Sequence, residues 1–428
     1  MNILRQSFGN SGSLNALITN KFKRNLLIMT QILPLDTKTI ALDELLPAVL
    51  LRGCEKYPTN ADIKRQCEDL YGASLEYYYS YFGDNLMINY CVDFLSDSAV
   101  GTSDTILRGA VELISQVWLH PVLESDGMLN KCGIKKAQAA FNDAIRAADN
   151  DTAAYALRRT RECVCQNDSN GYSVSVDDID AITAQSLTER YDFLRCHDNS
   201  IFFYVGDQNI EKIIGVLNEY FGAVDYCPTP DIKLIAVAPV QEPYCDEQEF
   251  PVAQGKLAIG ITTGITMTGR DYYAMLMAVE VFGGCPTSKL FVNVRERLGL
   301  CYYCNASYSK LKGVVYVSSG IDTDDYSVAK AEILNQIETM KQGIISDDEL
   351  TSAKMSLINA ARQLCDRPYS MWSFCNTRLL LDLSTDINYH VDKINSVTID
   401  DIVRVTRDWQ IGSEFFVRTK GSDMTDDD

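Results

Sequence analysis

The sequence predicts an α+β protein of two homologous domains, each a mostly antiparallel sheet with helices packed on one face. Three observations carry this: a length of 428 residues, a proline-rich break near the middle, and a plan of helix, helix and hairpin on each side of it. That length exceeds one ordinary core and fits two domains of about 200 residues. Hydrophobic residues make up 46% and charged residues 23% of the chain, which supplies apolar material for sizeable cores.

The break is DYCPTPDIKLIAVAPVQEPYCDEQEF, residues 225–250, where prolines and turn formers interrupt periodic sequence. It sets a first domain at 1–225, a linker at 226–245 and a second domain at 246–420. The last residues, GSDMTDDD at 421–428, read as a solvated acidic tail. Just upstream of the break, NSIFFYVGD (199–207) has the look of a closing strand, and downstream GKLAIGITTGI (255–265) opens a new one.

The elements repeat in order. In the first half a helix over 42–52 leads through a glycine to a second helix, ADIKRQCEDLYGA, then to strands SLEYYYSYFG and NLMINYCVDFL. In the second half YYAMLMAVEVFGG leads through Gly283-Gly284 to SKLFVNVRERLGL, then to strands CYYCNASYSK and GVVYVSSGI. Long helices follow in both halves: TSDTILRGAVELISQVWL and IKKAQAAFNDAIRAADND in the first, DYSVAKAEILNQIETMKQG and DDELTSAKMSLINAARQLC in the second. An internal duplication accounts for both the length and the pattern.

Charge and composition narrow the function. A net charge of −19 argues against nucleic acid as a partner, because phosphate contacts need clustered Lys and Arg. The N-terminal stretch MNILRQSFGNSGSLNALITNKFKRNLLIMTQILPL holds no long apolar run, so neither a signal peptide nor a membrane span is expected. The 14 cysteines lack disulfide-framework spacing and read as reduced thiols of a cytoplasmic protein.

The stretch ALDELLPAVLLRGCEKYPT, residues 41–59, has the outline of a metallopeptidase helix followed by a tight Arg-Gly turn. A zinc site of the His-x-x-Glu-His type needs two histidines one helical turn apart, where they share a face, with a glutamate between them as general base. The equivalent frame here is Glu44-Leu45-Leu46-Pro47-Ala48. The chain's three histidines, His120, His197 and His390, form no such pair. One carboxylate makes no zinc site, so no bound metal is expected and Glu44 reads as a solvated helix carboxylate.

That frame, together with LLRGCEKYPT, LYGASLEYYYSYFGDNLMINYCVDF and above all FGGCPTSKLFVNVRERLGLCYYCNASYS, resembles the insulinase-like inverted-zinc metallopeptidases, the M16 family. Its most specific part runs from Ser288 to Tyr302, and the resemblance covers nearly the whole chain. Alignment on Arg52-Gly53 places Glu44, Pro47 and Ala48 on the first His, the Glu and the second His. The family's third ligand, a glutamate on a later helix, falls at Asp143 or Ala144. The metal positions are thus replaced or doubtful.

In the second half the resemblance implies that Arg295 and Tyr302 hold substrate and the developing oxyanion. Arg forks onto a peptide carbonyl and a phenol donates to an oxyanion; against this, Arg295 sits among other charges in VRERLG and Tyr302 is one of 23 tyrosines. An Arg-Tyr half-site without zinc matches the non-catalytic subunits of the family, closest to the bacterial type associated with aminopentanol modification of elongation factor P. The implied partner is a zinc-bearing subunit of a clam-like heterodimer that cleaves a peptide. The alternative is a scaffold or peptide-binding protein of the same fold.

Three smaller signals remain. Cys301-Tyr-Tyr-Cys304 is a C-x-x-C, but on a regular strand positions i and i+3 point to opposite faces, so core packing is expected. The CVC at 163–165 reads as a helix end running into a turn. YYYSY at 77–81 offers an exposed aromatic face on alternate residues of a strand that could accept an extended peptide at its edge.

Overall fold

The computed structural model of the chain describes residues 2–421; the expected acidic tail, Gly421 apart, lies outside them. Packing divides the chain into two units. The first comprises Met1–Ile145, Val174–Ile232 and Leu364–Asp386, and the second Arg146–Ser173, Lys233–Gln363 and Ile387–Asp428. Each unit therefore takes in helical sequence from the far side of the proline-rich break.

The first unit is built on β1 (Leu4–Phe8), β2 (Gly12–Ile18), β3 (Arg24–Pro34), β4 (Ser74–Phe82), β5 (Asn85–Leu95) and β6 (Ile201–Gly206). They form one sheet in the order β1-β2-β6-β3-β5-β4. All pairings are antiparallel except β2 with β6. The β4–β5 hairpin closes through Gly83-Asp84, with Gly83 at φ 60°, the positive φ that a two-residue hairpin turn asks of its first central residue.

The second unit uses β7 (Tyr244–Phe250), β8 (Gly255–Thr262), β9 (Cys301–Ser309), β10 (Val314–Ile321) and β11 (Gln410–Thr419), in the order β7-β11-β8-β10-β9. Again one pair is parallel, β7 with β11, and the others antiparallel. Without β1, the two orders correspond strand for strand. The duplication read from the elements is thus present in the topology, and β4 and β9 occupy equivalent edges.

The core follows from strand alternation. On one face of the second sheet, Leu257, Ile259, Val315 and Val317 join Met275, Phe282 and Ile333 from the helical layer in one buried cluster. On the other face Ala258, Phe415 and Val417 pack on Ala156 of the Thr152–Val164 helix. That helix can sit so low because a side chain at Gly260 would lie 2.6 Å from Ser413 Oγ and 3.2 Å from Thr160 Cγ2. The first sheet is covered likewise: Trp118 of Thr105–Leu119 packs near Tyr90 with ring centroids 5.9 Å apart, and Leu26, Ile28, Phe203 and Val205 face Met371, Trp372 and Cys375 of Pro368–Leu380. The architecture is α+β with the main helical layer on one face of each sheet and a single helix laid on the other. No helix among the described residues is long and apolar enough to cross a membrane.

Candidate functional site

The peptidase-type frame lies on the helix Ile40–Leu50, which buries Leu45, Leu46, Val49 and Leu50. Pro47 interrupts its hydrogen-bond ladder, since proline has no N–H to offer the preceding turn. Contrary to the sequence expectation, Glu44 is not solvated: it is 3% exposed and accepts a hydrogen bond from the Tyr81 hydroxyl at 3.2 Å. Burial, then the neighbouring Glu44 charge, pushes the Tyr79 phenol well above its usual range, and its hydroxyl also hydrogen-bonds Glu44. Apolar spacing alone does not reveal that Glu44 is buried, and the two tyrosines on alternate β4 positions were the available clue.

The adjacent Asp43 is deeper still. Its carboxylate receives two charge-assisted hydrogen bonds from Arg190 on the Ala184–Cys196 helix, Nε at 2.6 Å and a terminal nitrogen at 2.9 Å. Burial raises the Asp43 pKa above the ordinary value and outweighs the opposing hydrogen bond and charge of Arg190. No sequence signal pointed to this pair, because 147 residues separate its members.

These residues do not fit a zinc ion. Pro47 and Ala48 bring no donor atom and Glu44 is engaged by tyrosine, whereas even an open catalytic zinc site takes three protein ligands. On the Lys131–Asn150 helix Asp143 is exposed; the residue of that helix stacked on Tyr79 is Phe141, with centroids 6.4 Å apart and planes at 14°. His120 lies 3.9 Å from Glu55, His197 stacks on Phe193, and His390 reaches the Tyr273 hydroxyl at 3.1 Å. Among the described residues no group of three His, Cys, Asp or Glu is placed to hold a metal.

The expected exposed face of YYYSY is also absent. β4 does form a sheet edge, but its tyrosines are half-buried. Tyr79 and Tyr81 turn toward Glu44, and Tyr78 packs edge-on against Tyr369 and Trp372 at 5.5 and 5.8 Å.

In the second unit the segment from Ser288 to Tyr302 begins with a π-helical stretch, Leu290–Arg297, that buries Leu290 and Val294. Arg295 lies over the Phe291 ring, 4.4 Å from its centroid, and 3.6 Å from Glu296. Gly299, at φ 65°, ends the helix, and Leu300 N–H returns to the Val294 carbonyl at 3.3 Å. The chain then enters β9, the edge strand.

There the register slips. Tyr303 pairs with Gly320 while Cys301 pairs with Ile321, so Tyr302 is an extra residue without a cross-strand partner, the mark of a β-bulge. The bulge presents Tyr302 to solvent, 77% exposed. It also corrects the expectation for the C-x-x-C: with one residue bulged out, Cys301 and Cys304 fall on the same face, and both pack on the same core cluster. The Cys304 thiol hydrogen-bonds Cys301 and holds it down at about 7, with the Ser319 hydroxyl and the Arg295 charge adding to the effect, while Cys304 is pushed up. A glycine inside a strand pattern often marks a bulge, so Gly320 in GVVYVSSGI was the signal that could have located it. The CVC is where the sequence put it, at the end of the Thr152–Val164 helix.

Fold and geometry together define a two-sheet α+β protein in which a peptidase-type helix is stapled by carboxylate, arginine and tyrosine. Known proteins resemble the chain in sequence and in fold. The model for "Peptidase M16 inactive domain" matches residues 181–357. Over 415 residues the chain is 27% identical to "Probable inactive metalloprotease YmfF" of Bacillus subtilis, an alignment covering 94% of this chain and 95% of that protein. A conserved protein of Enterococcus faecalis has the same fold, with TM-score 0.89 at 22% identity over 99% of this chain and 100% of that one. The M16 inactive domain structure from Pseudomonas fluorescens superimposes with TM-score 0.79 at 13% identity, covering 99% and 100% of the two chains. The chain thus resembles M16-type proteins described as inactive, through the family model over residues 181–357 and a relative 27% identical along nearly its whole length.

Proposed function

We propose that this chain is a zinc-less pseudo-peptidase subunit that lends Arg295 and Tyr302 to a zinc-bearing partner of the same family. The observation that carries the proposal is the bulge in β9, which spends a ladder position to hold Tyr302 in solvent a few residues after Arg295. A guanidinium on a flexible stem can fork onto a peptide carbonyl, and a phenol fixed on a strand can donate to the oxyanion that forms when the carbonyl is attacked. Hydrolysis itself belongs to the partner, because Glu44, Pro47, Ala48 and Asp143 provide no ligand set. The name of the Bacillus subtilis relative supports the lack of activity in this chain alone. Peptide is the substrate class, and fourteen free cysteines support a reducing, cytoplasmic setting.

The experiment is reconstitution with the co-purifying zinc subunit, followed by peptide cleavage with Tyr302→Phe and Arg295→Ala. Loss of one oxyanion donor costs about 10²–10³ in kcat, and Tyr302→Phe should show that drop with an unchanged melting temperature. Full activity in both variants would overturn the proposal and leave a scaffold or peptide-binding protein.

A further inference from the structure

The C-x-x-C of β9 is not used by the proposed function. Its two sulfurs share a face only because Tyr302 is bulged out, and Ser319, the cross-strand partner of Cys304, lies beside both. Their environments differ: Cys304 is 2% exposed, whereas Cys301, the first residue of the strand, is half-buried. Cys301 is the more accessible residue of the pair and Cys304 the buried one.

We infer that Cys301 and Cys304 form a peroxide-sensitive dithiol, in which Cys301 is the attacking sulfur and Cys304 the resolving one. The oxidant is a hydroperoxide. Cys301 thiolate attacks a peroxide oxygen; an S–O bond forms, the O–O bond breaks, and hydroxide leaves while the sulfur is oxidised to sulfenic acid. Cys304 sulfur then attacks Cys301 sulfur; the S–S bond forms, the S–O bond breaks, and the hydroxide takes the Cys304 proton and departs as water. With hydrogen peroxide, two thiols and one peroxide give one disulfide and two waters.

The electrostatics agree with these roles. A thiolate is the nucleophile, and a thiol near pKa 7 is partly ionised at neutral pH, while its buried neighbour keeps its proton until the second step. Arg295 is the cation that favours the Cys301 thiolate. β9 is an edge strand with no further strand beyond it among the described residues, and the dithiol sits at its first residues, next to the bulge. The inference does not depend on the role proposed for Tyr302.

The test treats the full-length reduced chain with a small excess of hydrogen peroxide, blocks remaining thiols with an alkylating reagent, and maps peptides by mass spectrometry. A Cys301–Cys304 disulfide, seen as the loss of two hydrogens in a single peptide and reversed by dithiothreitol, is the expected product. It should form ahead of any change at the exposed Cys132, Cys196 and Cys245. In Cys304→Ser, Cys301 should instead be trapped as sulfenic acid by dimedone. Oxidation first at the exposed cysteines, or Cys301 passing to sulfinic acid in the wild-type chain without a disulfide, would overturn the inference; neither readout requires a variant to fold.

Discussion

Replacing Arg190 by methionine keeps the length of the side chain and deletes its charge, leaving Asp43 buried and alone. Breaking a buried ion pair by removing one partner costs about 3–5 kcal/mol. The Asp43 side chain is 1% exposed and that of Arg190 14%, so water has some access from the arginine side and the lower end, about 3 kcal/mol, applies. For a unit of this size each kcal/mol moves the melting temperature by about 2–4 °C, which gives a fall of about 6–12 °C. The pH dependence has a definite sign. Burial already holds the Asp43 pKa above 3.8 against the pull of Arg190, and methionine removes that pull, so the folded pKa rises further. A carboxyl whose folded pKa lies above its unfolded one binds more protons in the native state, and stability is lost as pH rises from the unfolded value through the folded one. The deficit of Arg190→Met relative to wild type should therefore be largest at neutral pH and shrink on acidification. Thermal melts followed by circular dichroism at several pH values measure both quantities. A fall of under about 2 °C at neutral pH, against the expected multiple, or a deficit that grows toward acid, would refute the reasoning.

Other perturbations address the same two regions. Tyr81→Phe deletes a hydrogen bond to the buried Glu44 carboxylate and should cost about 1–3 kcal/mol, read as a lower urea midpoint at unchanged slope; an unchanged midpoint would mean that Tyr79 alone suffices. Prolonged treatment with a zinc chelator should leave the melting temperature of the purified chain where it was, and metal analysis should find no stoichiometric zinc; a chelator-induced fall would reveal ligands the frame does not contain. Gly283→Ala would set a methyl 2.6 Å from Ala306 N in β9 and 2.7 Å from its Cβ. Overpacking of that kind costs about 1–3 kcal/mol, and a melt indistinguishable from wild type would show that β9 gives way.

The regular elements were legible because their signals are local. Hydrophobic period, the glycines at 53 and 299, and the alternating strands on either side of Gly83-Asp84 identified both hairpins and the helices before them. The pairing of distant segments was not. Nothing in Thr152–Val164 or Pro368–Leu380 says which sheet each will cover, since an amphipathic stripe specifies that a face is buried and not against what. The same limit hid Asp43–Arg190, and it made Glu44 look solvated when the hydroxyls of Tyr79 and Tyr81 make its burial tolerable. For the C-x-x-C the alternation rule was applied to a strand that is not regular at that point.

That irregularity separates the two halves of the duplication. β4 and β9 stand at equivalent edges of sheets with corresponding strand order, and both carry runs of tyrosine. Along β4 the pairing with β5 is unbroken from Ser74 to Phe82, so Tyr79 and Tyr81 keep strict alternation, both turn to the helix Ile40–Leu50 and spend their hydroxyls on Glu44. Along β9 a single slip opposite Gly320 and Ile321 breaks the alternation, sends Tyr302 outward and draws Cys301 to the side of Cys304. A one-residue change of register moves side chains to the other face, so one inserted residue accounts for tyrosines turned inward along the first edge and one turned to solvent along the second. Aromatic and ionic contacts through Glu44 and Asp43 hold the helix Ile40–Leu50 against the first unit, while in the second unit the bulge leaves Tyr302 in solvent beside the paired cysteines.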